Sequence, residues 1–239
     1  MISYNTRFSR YYWFAQQIPW YGFLTHTQYH AYLGEKPHRL YHSEPMYTSL
    51  LSLHKLDDQY LASLSKKTRY EINRAERDGI TFSLHEDSDY FLSFYNDFAL
   101  SKNLPLLSAI QLSHLPQENL CFTKALNAST GETLVMHCYL YDAERTRLLF
   151  SCSHFRSNEQ QSLKNLIGMA NRYLHFQDIQ YFKQQGLSTY DLGGIAYQTK
   201  EPALQQINHF KAEFSGQLET SYLVLPRWLH SLKKLRSKR

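Results

Sequence analysis

Asp191 ends a strand-like run, Tyr190-Asp191-Leu192, directly before Gly193-Gly194. Paired glycines admit backbone angles that other residues avoid, and open α/β sheets place ligands at the C-terminal ends of their strands. A carboxylate there can accept an amine proton or bind a sugar hydroxyl. Equally, it can cap the turn by accepting backbone N–H groups. Further along, Lys211 sits in Phe210-Lys211-Ala212-Glu213-Phe214, at the end of a helical pattern, where a cation complements the negative helix terminus. His137 lies mid-strand in Leu134-Val135-Met136-His137-Cys138-Tyr139. Its imidazole titrates near neutrality and can serve as a base, or it can be a buried, hydrogen-bonded core residue. Arg69 and Arg74 can clamp phosphate with a guanidinium fork, or pair with Glu71, Glu76 and Asp78 on a solvated helix face. Ser153-His154-Phe155-Arg156 follows a strand and precedes a long helical pattern, so Ser153 or His154 can line a cleft and Arg156 can meet an anion. The chain has no G-x-S-x-G elbow, which argues against a serine hydrolase.

Several elements must position these groups. A helix starts after Asp57 or Asp58 and ends at Gly79, with Leu61, Leu64, Ile72 and Ala75 at helical spacing and Thr68 in the gap. Ile80–His85 alternates as a strand. Ser88 or Asp89 caps a helix bearing Phe91, Phe94, Tyr95 and Phe98. Residues 105–128 hold turns and one weak helix, and 133–142 and 146–153 form a hairpin across Asp142-Ala143-Glu144-Arg145. Residues 159–185 are helical, broken near Gly168 or His175. Strand 188–192, helix 201–213 and strand 217–225 complete the order. Residues 1–55 read as irregular, punctuated by Pro19, Gly22, Gly34 and Pro37.

At 239 residues the chain can bury a full core. Its net charge of +5 is uneven: Pro226–Arg239 holds six cations and no acid, so the remainder sums to −1. That segment also places Trp228, Leu229, Leu232 and Leu235 on one helical face. It either docks on the body or grips a polyanion, namely tRNA or an anionic membrane surface. Cys121, Cys138 and Cys152 lack metal spacing and are odd in number, so neither a metal site nor a disulfide frame is expected. Residues 1–42 carry 12 of the 36 aromatics, either as a stacking face or as a small core. No apolar run reaches membrane-spanning length and no signal region opens the chain, so a cytoplasmic protein is expected.

Three segments in order resemble one known family. Tyr190-Asp191-Leu192-Gly193-Gly194 followed by Phe210-Lys211-Ala212-Glu213-Phe214-Ser215-Gly216 looks like the family's strand end and helix end, with Ser215 in place of a glycine. Lys66 to Ile80 looks like its basic helix, and Leu148 to Arg156 like its strand and loop. The chain thus resembles the Fem-like aminoacyltransferases, which build peptidoglycan bridges, over residues 50–225. The resemblance implies an α/β (α+β) fold with a GNAT-like mixed central sheet flanked by helices and a V-shaped opening between central strands. It divides the chain into an aromatic-rich segment 1–55, a remnant or replacement of a first GNAT half; a GNAT-like domain 56–225; and the basic tail 226–239. It implies transfer of an aminoacyl or acyl group to an amine of a cell-envelope precursor, a peptidoglycan intermediate or an amino sugar, by direct attack. Asp191, Lys211 and His137 are then the catalytic residues, with Lys211 steadying the oxyanion. Arg69, Arg74, Ser153, His154, Arg156, Tyr190 and Phe210 are the substrate-binding set. The chain lacks the glycine-rich loop with which acetyl-CoA users cradle pyrophosphate. The donor expected is aminoacyl-tRNA or an acyl thioester on CoA or acyl carrier protein, with no tightly bound cofactor. A non-catalytic GNAT-like module binding a nucleotide sugar or RNA is the alternative.

Overall fold

The computed structural model describes residues 1–35, 37–153 and 161–236. Its strands are β1 (Ile2–Asn5), β2 (Arg10–Trp13), β3 (Thr27–Tyr32), β4 (Tyr41–Ser52), β5 (Ile80–His85), β6 (Leu120–Asn127), β7 (Thr133–Tyr141), β8 (Arg145–Ser153), β9 (Thr189–Gly194) and β10 (Gln217–Pro226). The helices are α1 (Tyr60–Ser63), α2 (Lys66–Arg77), α3 (Ser88–Ser101), α4 (Ala109–Ser113), α5 (Gln161–Gln184), α6 (Pro202–Ala212) and α7 (Arg227–Arg236). All ten strands join one mixed sheet in the order β1-β2-β3-β10-β4-β9-β8-β7-β6-β5.

The sheet has helices on both faces because β7 is apolar on both. His137 and Tyr139 are buried on the face that α5 covers, while Met136 and Cys138 pack with Phe91 of α3 and Leu112 of α4. The first face holds the larger core: Ile72 and Ala75 of α2, Leu174, Ile179 and Phe182 of α5, and Tyr190 and Leu192 of β9. Cys138 and Cys152 are buried free thiols.

Several boundaries differ from the sequence expectation. The first helix is interrupted at Leu64–Ser65, where the Ser65 side chain accepts the Thr68 N–H and starts α2 afresh. Asp87, not Ser88 or Asp89, caps α3 by accepting from Asp89 and Tyr90. Helix α5 runs without a break from Gln161, and both Gly168 and His175 lie within it. Residues 1–55 contribute β1–β4, and β4 lies between β10 and β9, so no boundary separates them from the rest of the sheet. Pro45 is tolerated within β4 because β9 pairs only with Thr48–Ser52, leaving the Pro45 stretch partnered by β10 alone.

The opening that matters lies between β8 and β9. These strands pair in parallel only through Arg145↔Thr189, Thr146↔Tyr190 and Arg147↔Asp191. Beyond that register, Leu148–Ser153 and Leu192–Gly194 part company, forming the V of a GNAT-like sheet.

Candidate active site

The apex of the V is pinned by a buried ion cluster. Both oxygens of Asp191 are engaged, one by the Thr48 hydroxyl and the Gly193 N–H (2.8 Å), the other by Arg145 and by Arg147 Nη1 (2.7 Å). Burial pushes the Asp191 carboxyl up, but Arg147, Arg145 and Thr48 outweigh it and hold the carboxyl below its usual range. Gly193 has φ +82°, and a Cβ there would meet the Leu148 carbonyl at 3.1 Å, so this turn requires glycine. The carboxylate expected to handle a substrate proton is therefore fully buried and saturated by protein partners. It caps the turn and ties β9 to β8 and β4.

A cavity of about 620 Å³ fills the V beyond this pin. Strand β8 contributes Leu148, Ser151 and Ser153; α5 contributes Ile167, Asn171 and His175; β9 contributes Gly193 and Gly194; α6 contributes Ile207, Phe210 and Lys211. Lys211 Nζ donates to the Gly194 carbonyl at 2.6 Å, leaving two further N–H groups. Burial, and then the Arg147 cation, lower its pKa to about 8, with Asp191 pulling the other way. Arg172 of α5 braces this region, reaching Glu213 at 2.7 and 3.0 Å and Glu71 of α2 at 3.0 Å, with its guanidinium 5.1 Å over the Phe210 ring.

Behind the cavity wall runs a buried polar chain. His175 Nδ1 lies 3.0 Å from the Tyr190 hydroxyl, Tyr190 lies 2.6 Å from the Tyr139 hydroxyl, and Tyr139 donates to Asp178 at 2.6 Å. His137 joins the same Asp178 oxygen through Nδ1 (2.7 Å) and meets Asn171 Oδ1 through Nε2 (3.0 Å). The chain thus leaves the cavity at His175 and returns to it at Asn171. Burial, then Asp178, pushes both tyrosines well above their ordinary pKa, so their protons stay in place. The single Tyr139 proton is thus spent on Asp178. Tyr190 must then donate to Tyr139, and His175 Nδ1–H to Tyr190. That tautomer leaves His175 Nε2 with its lone pair. Burial, then His137, Lys211 and Arg172, depress the His175 pKa well below 6.5, so its imidazole is neutral at physiological pH. The donor atoms of His137, His175 and Asp178 lie within 4.8 Å of one another, but His137 and Asp178 bond each other and His175 bonds Tyr190.

The residues expected from the sequence divide accordingly. Lys211, Phe210 and Ser153 line the cavity together. His137 and Tyr190 are fully buried within the polar chain and do not line it, because α5 and the tyrosines cover them. Arg74 pairs with Asp78 (3.3 Å) and the Tyr70 hydroxyl (3.2 Å) beside an adjoining cavity of about 650 Å³ between α2 and α5. Arg69 donates to the Ala62 carbonyl at 2.7 Å and lines neither cavity. Arg74 is thus paired on the helix face as well as beside a cavity, while Arg69 bonds the backbone. His154 and Arg156 lie outside the described residues. Sequence reasoning missed Asn171, His175 and Asp178. Their spacing of i, i+4 and i+7 within an apolar helix face was the available signal, since polar residues on a buried stripe need partners.

No family model and no curated protein matches the chain. Solved structures do. FemX aligns over 78% of the chain and 63% of its own length, at 13% identity and a TM-score of 0.58. The C-terminal domain of a protein described as a lysylphosphatidylglycerol synthetase from Agrobacterium fabrum aligns over 83% and 67%, at 15% identity and 0.55. L-PGS from Bacillus licheniformis aligns over 90% and 74%, at 15% identity and 0.53. The chain thus spans roughly two thirds to three quarters of these longer proteins. At such identities the likeness is one of fold: the chain has the Fem-like GNAT architecture, a mixed sheet split by a V and flanked by helices.

Proposed function

We propose that the chain is an acyltransferase that moves an aminoacyl or acyl group onto an amine of a cell-envelope precursor within the β8–β9 cavity. The observation that carries this reading is the pairing, in one cavity, of a half-buried Lys211 ammonium with a neutral His175 imidazole. The substrate amine attacks the donor carbonyl and its proton passes to His175 Nε2. Lys211 donates to the oxygen that gains charge. The carbonyl then re-forms as the bond to the leaving oxygen or sulfur breaks, and the proton held on His175 Nε2 passes to that leaving atom, restoring the neutral imidazole. The positive charge gained by His175 is stabilised through Tyr190 and Tyr139 by Asp178, so His137, the base expected from sequence, serves as a positioning residue at the far end of the chain. Attack is direct, with the donor an aminoacyl-tRNA ester or an acyl thioester of CoA or acyl carrier protein. The resemblance of residues 50–225 to the Fem-like aminoacyltransferases supports an envelope acceptor.

Thermal unfolding of the protein with charged tRNA, acetyl-CoA and acyl carrier protein thioester, each added separately, tests the donor. A ligand bound only by the native state raises the midpoint, by about 2.7 kcal/mol of stability at a hundredfold excess over Kd. One donor is expected to protect wild type and to release its acyl group to an added amine. Protection without any transfer to any amine would make the chain a binding module instead.

A further inference from the structure

Away from the cavity, two apolar surfaces meet. The 3-10 turn Trp20–Leu24 exposes Trp20, Tyr21 and Leu24 at 66, 60 and 71%. Helix α7 lies against it: Trp228 Nε1 donates to the Phe23 carbonyl at 2.6 Å and its ring meets His26 at 4.7 Å. The helix is held to the body by buried Leu229, by His230 stacked on His42 at 3.7 Å, and by Lys233 bonded to Gln28 at 2.7 Å. Those contacts leave Trp228, Leu232 and Leu235, spaced i, i+4 and i+7, exposed at 37, 45 and 65%. Arg227, Lys233 and Lys234 stand on the same helix, and Pro226–Arg239 contains no acid. The docked alternative for this helix is thus met on its Leu229 side.

We propose that the turn Trp20–Leu24 and the exposed stripe of α7 form a seat for an anionic lipid bilayer. Three leucines have no counterpart on a polynucleotide, whereas aromatics, leucines and cations together match the boundary between headgroups and acyl chains. No helix among the described residues is long and apolar enough to span a membrane, so the contact is interfacial. The position also fits. Strand β4 is antiparallel to β9 and β10, so its Tyr41 end, the Pro226 end of β10 and the start of β3 lie at the end of the sheet toward which β8 and β9 open. Turn, helix and cavity therefore share one end of the molecule, and a seated protein would present its cavity toward the lipid surface. The seat does not depend on the transfer reaction.

Cosedimentation of the full chain with phosphatidylcholine vesicles, with and without phosphatidylglycerol, tests this, with brominated acyl chains to quench tryptophan. Wild type is expected to bind the anionic vesicles, to release with salt and to be quenched. Lys233→Gln/Lys234→Gln should weaken binding about 25-fold, from roughly a fivefold loss per cation at the surface. Trp20→Ser/Tyr21→Ser/Leu24→Ser alters only exposed side chains and should weaken it about tenfold or more. Failure to bind anionic vesicles overturns the proposal. So does binding that the triple variant retains in full, or that tRNA matches while the triple variant is unaffected, since either would describe a charge contact alone.

Discussion

Replacing Asp191 by Asn separates a structural pin from a catalytic base. The change keeps shape and removes charge, so Arg145 and Arg147, with side chains 7 and 9% exposed, lose the anion they share. Removing one partner of a buried ion pair costs about 3–5 kcal/mol, because the remaining charge is left desolvated and unmatched. In a chain of this length each kcal/mol moves the melting temperature by roughly 2–4 °C, which gives a fall of roughly 6–20 °C. The sign with pH follows from the depressed carboxyl. Its contribution is fully present above the unfolded value of about 3.9 and is lost as pH falls through the lower folded value. The gap between wild type and Asp191→Asn should therefore be constant from neutral pH down to the usual carboxylate range and close only below it. Calorimetric unfolding across pH measures this. A mutant that melts within about 2 °C of wild type while losing turnover by orders of magnitude would refute the pin and return Asp191 to the chemistry.

Three other outcomes are expected. Gly193→Ala forces a side chain into a left-handed conformation against the Leu148 carbonyl and should destabilise by about 1–3 kcal/mol, read by denaturant titration. His175→Gln should lower turnover about 10²-fold or more and remove an acid limb lying below pH 6.5 in wild type, since activity needs the neutral imidazole and is lost as pH falls through its depressed pKa. Tyr139→Phe cuts the chain to Asp178 and should lower kcat with little change in KM, whereas a residue that only filled the core would move stability alone.

Much of the cavity was legible because its parts are local. The glycine pair after Asp191, the Phe210-Lys211 helix end and the β7–β8 hairpin each carry their signal within a few residues. What could not be read was long-range. Arg145 and Arg147 reach Asp191 across the β8–β9 register, and Thr48 comes from a strand disguised by Pro45 and by its lack of alternation. The role of Asp191 turned on these partners, so both readings were open until the register was known. His137 was placed correctly in a strand, but its burial depends on α5, whose Asp178 and Asn171 cover it. β6 was hidden among the turn signals of residues 105–128 and is held in place by pairing with β5 and β7.

The central claim is that a charged Lys211 in the β8–β9 cavity stabilises the transition state of acyl transfer. The most direct test is the pH dependence of kcat/KM for wild type and Lys211→Met, with the donor that protects against unfolding and an amine acceptor. Wild-type activity should fall as pH rises through about 8, where the ammonium is lost, and Lys211→Met should be slower by about 10²-fold and lack that limb. A mutant within a few-fold of wild type, carrying the same alkaline limb, would contradict the account.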